Sequence, residues 1–266
     1  SGSHLATNVT AAVDEWLSDG PVELAWRKGQ RFTLARTNHV EEPTWVQKPN
    51  EVVVATGGTR GVTFEILRQM ANKAPLKMAL VARTAGIESA ESPVYGKSPT
   101  ECKEIARGFL EKKTDKVTPI AIKNWIAQQE RKLEVAANVD ELRSLGCEVE
   151  LFQCDVGDQE ELVRVSESIQ KRFGEVDLLI HGAGLEESKF LVDKDLKAFR
   201  RVFEPKASAA LTLYFGLAPK RMVTMGSVAG RFGNAGQVDY AAANELMAAF
   251  SRRSGRGILN INWTAW

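Results

Sequence analysis

From residue 51 to the end of the chain, short apolar runs alternate with longer stretches whose apolar residues recur at helical spacing. Glu51-Val-Val-Val-Ala55, Lys77-Met-Ala-Leu-Val-Ala82, Glu148-Val-Glu-Leu-Phe-Gln-Cys154, Val176-Asp-Leu-Leu-Ile180, Met222-Val-Thr-Met225 and Gly257-Ile-Leu-Asn-Ile-Asn-Trp263 all have strand length. The first two are almost continuously apolar, as strands covered on both faces are. Residues 64–71, 159–173, 193–217 and 240–251 place their apolar positions on one helical face, with Glu204-Pro205 interrupting the third because proline lacks the N–H of the helix ladder. Strands interleaved with helices predict an α/β fold, one doubly wound parallel sheet with its ligand at the carboxyl strand ends.

Two stretches depart from this alternation. Before residue 49 the pattern predicts a short helix over 6–17 and a hairpin of Val22-Glu-Leu-Ala-Trp26 and Arg31-Phe-Thr-Leu-Ala35 around Lys28-Gly29-Gln30. A lone hairpin is marginal in water, so it is expected to lean on the rest. Glu42-Pro43 and Lys48-Pro49 punctuate a linker, and Ser1-Gly2-Ser3-His4 resembles an expression scar. Between residues 84 and 147 roughly 60 residues stand where a short loop and one helix suffice, which predicts a helical insertion after the second strand. Ser98-Pro99-Thr100-Glu101 starts one of its helices, with Ile105, Phe109 and Leu110 on a face. Thr118-Pro119 starts another, with Ile122, Trp125, Ile126, Gln129 and Leu133 at helical spacing, and Trp125 reads as packing.

Composition adds exclusions. The 266 residues are 44% hydrophobic and 26% charged, ordinary for a globular chain with one large core and an accessory piece. A net charge of +1 argues against nucleic acid held by its phosphates, and no apolar run approaches the roughly 20 residues of a membrane span. Cys102, Cys147 and Cys154 show no paired spacing and read as reduced thiols of a cytoplasmic protein. With His4, His39 and His181 far apart, no metal site is expected.

The chemistry sits at the strand ends. The first strand empties into Thr56-Gly57-Gly58-Thr59-Arg60-Gly61-Val62-Thr63 ahead of a helix, the setting of a phosphate-cradling loop, although glycines alone also fit a bare tight turn. The second ends at Arg83, where an acid would hold ribose hydroxyls but an arginine suits a 2′-phosphate; Arg60 could add a second cation, so NADPH is preferred over NADH. An exposed strand-end residue is the plain alternative for Arg83. After the third strand, Asp155 can accept from an adenine amino group while Val156 packs on the ring; helix capping is the rival for Asp155 and the plain reading of Asp158. The fourth opens into His181-Gly182-Ala183-Gly184, small residues against which a cofactor can lie, with His181 itself reading as a position filler. The fifth runs into Gly226-Ser227, and the next helix carries Tyr240 and Asn244 one turn apart. A hydroxyl and a phenol delivered to one cleft make a proton-transfer site. Lys206, alone, reads as surface.

Taken in order, Thr56-Gly57-Gly58-x-x-Gly61, Arg83, Asp155-Val156, His181-x-Ala183-Gly184, Glu204-Pro205-Lys206, Ser227, Tyr240-Ala-Ala-Ala-Asn244 and Asn262-Trp263-x-x-Trp266 resemble the ketoreductase domains of polyketide and fatty acid synthases. These are complex members of the short-chain dehydrogenase/reductase superfamily, with a Rossmann fold. Free-standing reductases have a lysine where Asn244 stands; the synthase domains are expected to have asparagine there and the lysine ahead of the serine, at Lys206, which reverses its surface reading. Thr63, in place of a usual glycine, and the long insertion resemble the ketoreductases of polyunsaturated fatty acid synthases, with iterative enediyne-type polyketide synthases close behind. The hairpin is similar to the tail of the structural subdomain that precedes such domains. The expected organisation is therefore a scar over 1–4, a remnant of that subdomain with its linker over 5–48, and a catalytic domain over 49–266 with the insertion at 84–147.

The resemblance implies a cofactor-binding set of Thr56, Gly57, Gly58, Thr59, Arg60, Gly61, Val62, Arg83, Asp155, Val156, His181, Gly182, Ala183 and Gly184, with NADPH as the cofactor. It implies reduction of a β-ketoacyl thioester, carried on the phosphopantetheine arm of an acyl carrier protein, among the other domains of a cytoplasmic synthase. Tyr240 would give the proton, Lys206 would stabilise the phenolate, Ser227 would hydrogen-bond the carbonyl oxygen, and Asn244 would orient Lys206 or a water. Leu185-Glu186-Glu187 resembles the Leu-Asp-Asp loop of domains that make the D-hydroxy product, and Phe232 stands where the opposite class has tryptophan, which together imply a (3R) product. The alternative is a catalytically silent NADPH-binding or scaffolding domain, against which the presence of all four residues Lys206, Ser227, Tyr240 and Asn244 argues.

Overall fold

The structure, a computed structural model, describes residues 24–27, 30–33, 45–114, 116–254 and 257–264. The chain divides into two compact units, Ser1–Val46 and Gln47–Trp266. In the first, β1 (Leu24–Arg27) and β2 (Gln30–Thr33) pair antiparallel with Arg27 opposite Gln30, the hairpin that the alternation predicts. The expected helix over 6–17, the scar, Glu42-Pro43 and Trp266 of the last motif lie outside the described residues.

The second unit is built on six strands: β3 (Val52–Thr56), β4 (Lys77–Ala82), β5 (Glu148–Gln153), β6 (Leu178–His181), β7 (Arg221–Ser227) and β8 (Ile258–Trp263). They lie in the order β5-β4-β3-β6-β7-β8 and every neighbouring pair is parallel, so the doubly wound Rossmann sheet is as expected. Residues 52–56 of β3, in the middle, are all buried, which explains why that run carries no polar alternation. The helices are α1 (Gly61–Lys73), α2 (Pro99–Glu111), α3 (Pro119–Ser144), α4 (Gln159–Phe173), α5 (Leu196–Phe203), α6 (Ala209–Leu217), α7 (Val228–Phe232) and α8 (Val238–Arg253). No helix among the described residues is long and apolar enough to cross a membrane.

Between β4 and β5, Ser98 and Glu101 form a reciprocal capping box at the start of α2, and the Thr118 hydroxyl accepts from the backbone N–H of Ala121 at the start of α3. Trp125 packs against Phe109, ring centroids 5.2 Å apart, within a small core that also holds Val94, Cys102, Ala106 and Ile122. Helix α3 runs for 26 residues, and its second half buries Val135, Val139 and Leu142 against α1 and β5. That half packs as the crossover helix of a βαβ unit does, and the 26-residue helix continues ahead of it into the small core around Trp125.

The predicted break at Glu204-Pro205 is a π turn over Glu204–Ser208 that joins α5 to α6 without ending the helix. Proline can donate no ladder bond, and the wider turn absorbs that loss within a continuous helix. Its consequence is positional: Lys206 lies inside the turn and is only 5% exposed.

Candidate active site

Strands leave β3 in one direction towards β4 and β5, and in the other towards β6, β7 and β8. At such a switch point the loops diverge and leave a crevice above the strand ends. Here the crevice is a cavity of about 1080 Å³. It is lined by Gly57, Thr59, Arg60, Gly61 and Val62 of the turn after β3, Arg83 after β4, Asp155 and Val156 after β5, and Gly182, Ala183 and Gly184 after β6. Lys206, Met225, Gly226 and Tyr240 close one end, with Trp263 beside them.

The turn suits an anionic ligand. Helix α1 begins with no side-chain cap and no acidic residue in its first turn, so its N-terminal N–H groups keep their positive end open. A Cβ built on Gly61 meets nothing within 4 Å, so this part of the turn is bare surface on the cavity wall. Gly182 is required for another reason: a Cβ there would fall 2.1 Å from Thr63 Oγ1, so Thr63 occupies the space that a side chain would need.

Three of the expected cofactor contacts stand behind the wall. Gly58 is buried between α1 and the sheet, where a Cβ would fall 2.8 Å from Leu67 Cδ1 and 2.9 Å from Ala55 Cβ; it lets helix and strand close together. Thr56 and His181 are fully buried and join a relay beneath the loop. Ala183 N–H donates to Thr56 Oγ1 (3.1 Å), Thr56 Oγ1 lies 2.8 Å from His181 Nδ1, and His181 Nε2 lies 2.9 Å from the carbonyl oxygen of Lys206. A carbonyl only accepts, so Nε2 carries the ring proton and Nδ1 accepts from the threonine hydroxyl. Burial, and next the Lys206 charge, push the His181 pKa down to about 3, so the ring is neutral. His181 thus fills a buried position beneath the loop. Asp155 is on the wall, but its Oδ1 accepts from Gly157 N–H, while Asp158 caps α4 by accepting from Glu160 and Glu161.

The proposed proton-transfer residues converge in part. Lys206 Nζ donates to the carbonyl of Met225 (2.8 Å) and lies 5.6 Å from the centroid of the Tyr240 ring. Burial alone lowers the Lys206 pKa to about 8, which leaves the ammonium charged at neutral pH. Ser227, half-buried at the end of β7, directly follows Gly226 of the cavity lining; its Oγ accepts from Ala229 N–H and caps α7, which leaves its own proton to give. Asn244 is fully buried on α8, donates from Nδ2 to the Tyr240 carbonyl (2.7 Å), and keeps its Oδ1 without a hydrogen-bond partner. No hydrogen bond joins Asn244 to Lys206 among the described residues.

Two features escaped the sequence reading. Lys194 and Asp239 form a shielded ion pair (2.5 Å) directly before Tyr240; Asp239 Oδ1 also accepts from Tyr240 N–H, and Lys194 also donates to the Glu187 carbonyl. Arg131 and Val135 of α3 line the cavity. In the Leu185-Glu186-Glu187 loop, Glu187 is held by Arg201 and Lys189, and Phe232 at the end of α7 is exposed.

Residues 52–266 match the family described as the KR domain. The chain is 27% identical over 234 residues to a polyunsaturated fatty acid synthase subunit from Thraustochytrium sp., a match covering 82% of this chain and 8% of that protein. It is 33% identical over 141 residues to polyketide synthase PksN of Bacillus subtilis, covering 47% of this chain and 2% of that one. It thus spans a small fraction of these relatives. Among solved structures, the ketoreductase from the first module of phoslactomycin biosynthesis in Streptomyces sp. HK803 superposes with a TM-score of 0.67 at 22% identity, covering 96% of this chain and 51% of that one.

Proposed function

The chain belongs to the KR domain family, and on that premise we propose that it is the β-ketoacyl reductase of a polyketide or polyunsaturated fatty acid synthase. In this reading it uses NADPH to reduce a β-ketoacyl thioester, presented on the phosphopantetheine arm of an acyl carrier protein, to the (3R)-hydroxyacyl thioester. Residues 5–48 belong to the structural subdomain that precedes such domains, and the setting is a cytoplasmic multienzyme.

The observation that carries the reading is the buried Lys206 ammonium beside the Tyr240 ring, on the wall of a cavity whose opposite end is a glycine turn with an open helix N-terminus. A bound nicotinamide nucleotide supplies the hydride. Hydride addition turns the ketone oxygen into an alkoxide, so the protein must deliver a proton and steady the charge. Tyr240 is the donor, and the Lys206 charge favours the phenolate left behind. The carbonyl of Met225 and the π turn fix the ammonium, so it need not be ordered during the reaction. Ser227, whose proton is not committed, donates to the ketone oxygen. The orphan Oδ1 of Asn244 accepts from a water that returns the proton to Tyr240.

The test is incubation with NADPH and a β-ketoacyl pantetheine thioester, following nucleotide oxidation and the mass of the acyl product. Stoichiometric formation of the hydroxyacyl thioester supports the reading. Tight NADPH binding with no turnover would favour a silent binding domain and overturn it.

A further inference from the structure

Helix α3 is fastened over the nucleotide end of the cavity by contacts that the sheet fold itself does not require. Asn138 Nδ2 donates to the carbonyl of Thr59 in the glycine turn (2.8 Å), and Arg60 of that turn lies 3.9 Å from Glu134. Gly86 packs on the backbone of Ala136, where a Cβ would fall 3.2 Å from its N, and Ile87 N–H donates to the Lys132 carbonyl (3.2 Å). The last two contacts tie the loop that starts at Arg83 to the turn of α3 that carries Arg131. Arg131, Val135 and Asn138 follow at spacings of four and three residues, so one face of α3 looks onto the cavity and the turn.

Arg60, Arg83 and Arg131 are among the arginines that line the cavity, and Arg60 and Arg83 belong to the turns after β3 and β4. Arg60 has Glu134 as its partner. Among the described residues, the side chains of Arg83 and Arg131 have no carboxylate or carbonyl partner of their own. Asp155 and Asp158 line the same cavity but make no ion pair with either arginine among the described residues, so both guanidinium forks are left to offer donors to a doubly charged anion.

We infer that Arg131, brought to the cavity by the extended crossover helix, is a specificity-determining residue that holds the 2′-phosphate of NADPH together with Arg83. The inference rests on the NADPH reading above and gives the backward extension of α3 a purpose: its first half anchors the helix while the turn at Arg131 reads the cofactor. An arginine on the pyrophosphate instead would serve NADH equally, since both cofactors carry that group.

Calorimetric titration of NADPH and of NADH into the purified protein and its Arg131→Ala and Arg83→Ala variants separates these cases. The expected result is tighter binding of NADPH than NADH by the unaltered protein, and a loss of about tenfold or more in NADPH affinity for Arg131→Ala with NADH affinity held within about twofold. Arg131 is exposed on a helix and alanine is a strong helix former, so the variant's melting curve should match the parent's. If Arg131→Ala weakens both cofactors alike, or neither, while Arg83→Ala still erodes the preference, the inference is wrong and the NADPH reading stands. If the unaltered protein shows no preference for NADPH, both fall.

Discussion

His181 holds the backbone of Lys206: its Nε2 donates to the Lys206 carbonyl across 2.9 Å, within the π turn that turns this lysine inward. The ring does so as a fully buried neutral imidazole with a pKa near 3 against an ordinary 6.5. The folded state therefore binds fewer protons than the unfolded one between these values. Stability from this residue is complete above about pH 6.5 and is lost as pH falls towards 3, by up to about 1.4 kcal/mol per pH unit. Urea unfolding of the parent and of His181→Gln between pH 6.5 and 4 should show a shallower acid limb in the variant. Parallel limbs would remove the buried neutral ring from the account.

Burial lowers the Lys206 pKa to about 8, so its charge, largely present at neutral pH, is lost as pH rises through that value. Turnover that relies on the ammonium should decline as pH rises through about 8. Lys206→Ala should lower kcat by about a hundredfold or more. A pH profile flat to pH 9.5 would show that the charge is not used.

The Gly182 and Thr63 contact predicts a coupled pair. Gly182→Ala forces its methyl into Thr63 Oγ1 and should cost about 1–3 kcal/mol in stability. Thr63→Gly in the same chain should recover most of that loss. Purely additive effects in denaturant midpoints would mean that the two do not compete for space.

Asp239 shields Lys194, and both side chains are essentially inaccessible. Asp239→Ala would leave an uncompensated buried ammonium and should cost about 3–5 kcal/mol, whereas Asp239→Leu with Lys194→Met should be much milder. Because Asp239 also receives Tyr240 N–H, the single variant should lose kcat beyond what its unfolded fraction explains. Equal stability of the single and double variants would contradict this.

Much of the architecture was legible in the chain, because six apolar runs and their intervening helices are dictated by burial on both faces of a sheet. The reach of α3 was not: its apolar positions 122, 125, 135, 139 and 142 form one helical series, and nothing in periodicity says where packing on the accessory core gives way to packing on the sheet. The glycine turn was legible as a turn, but Gly58 and Gly61 look alike in sequence while one meets Leu67 and the other meets open space. Lys206 is the sharpest case. A lysine after Glu-Pro reads as surface by composition, and only the family resemblance, then the π turn, bring it inside. Arg131 left no signal at all, since an exposed arginine on a long helix is commonplace until the fold lays that helix across the cavity.

The central claim is that Tyr240, beside Lys206, gives the proton to a ketone. The most direct measurement is single-turnover reduction of a β-ketoacyl pantetheine thioester by NADPH in the parent protein and in Tyr240→Phe, with NADPH affinity measured in parallel. The account predicts a rate loss of about a hundredfold or more in Tyr240→Phe with cofactor affinity nearly unchanged. Equal rates in the two proteins would contradict it.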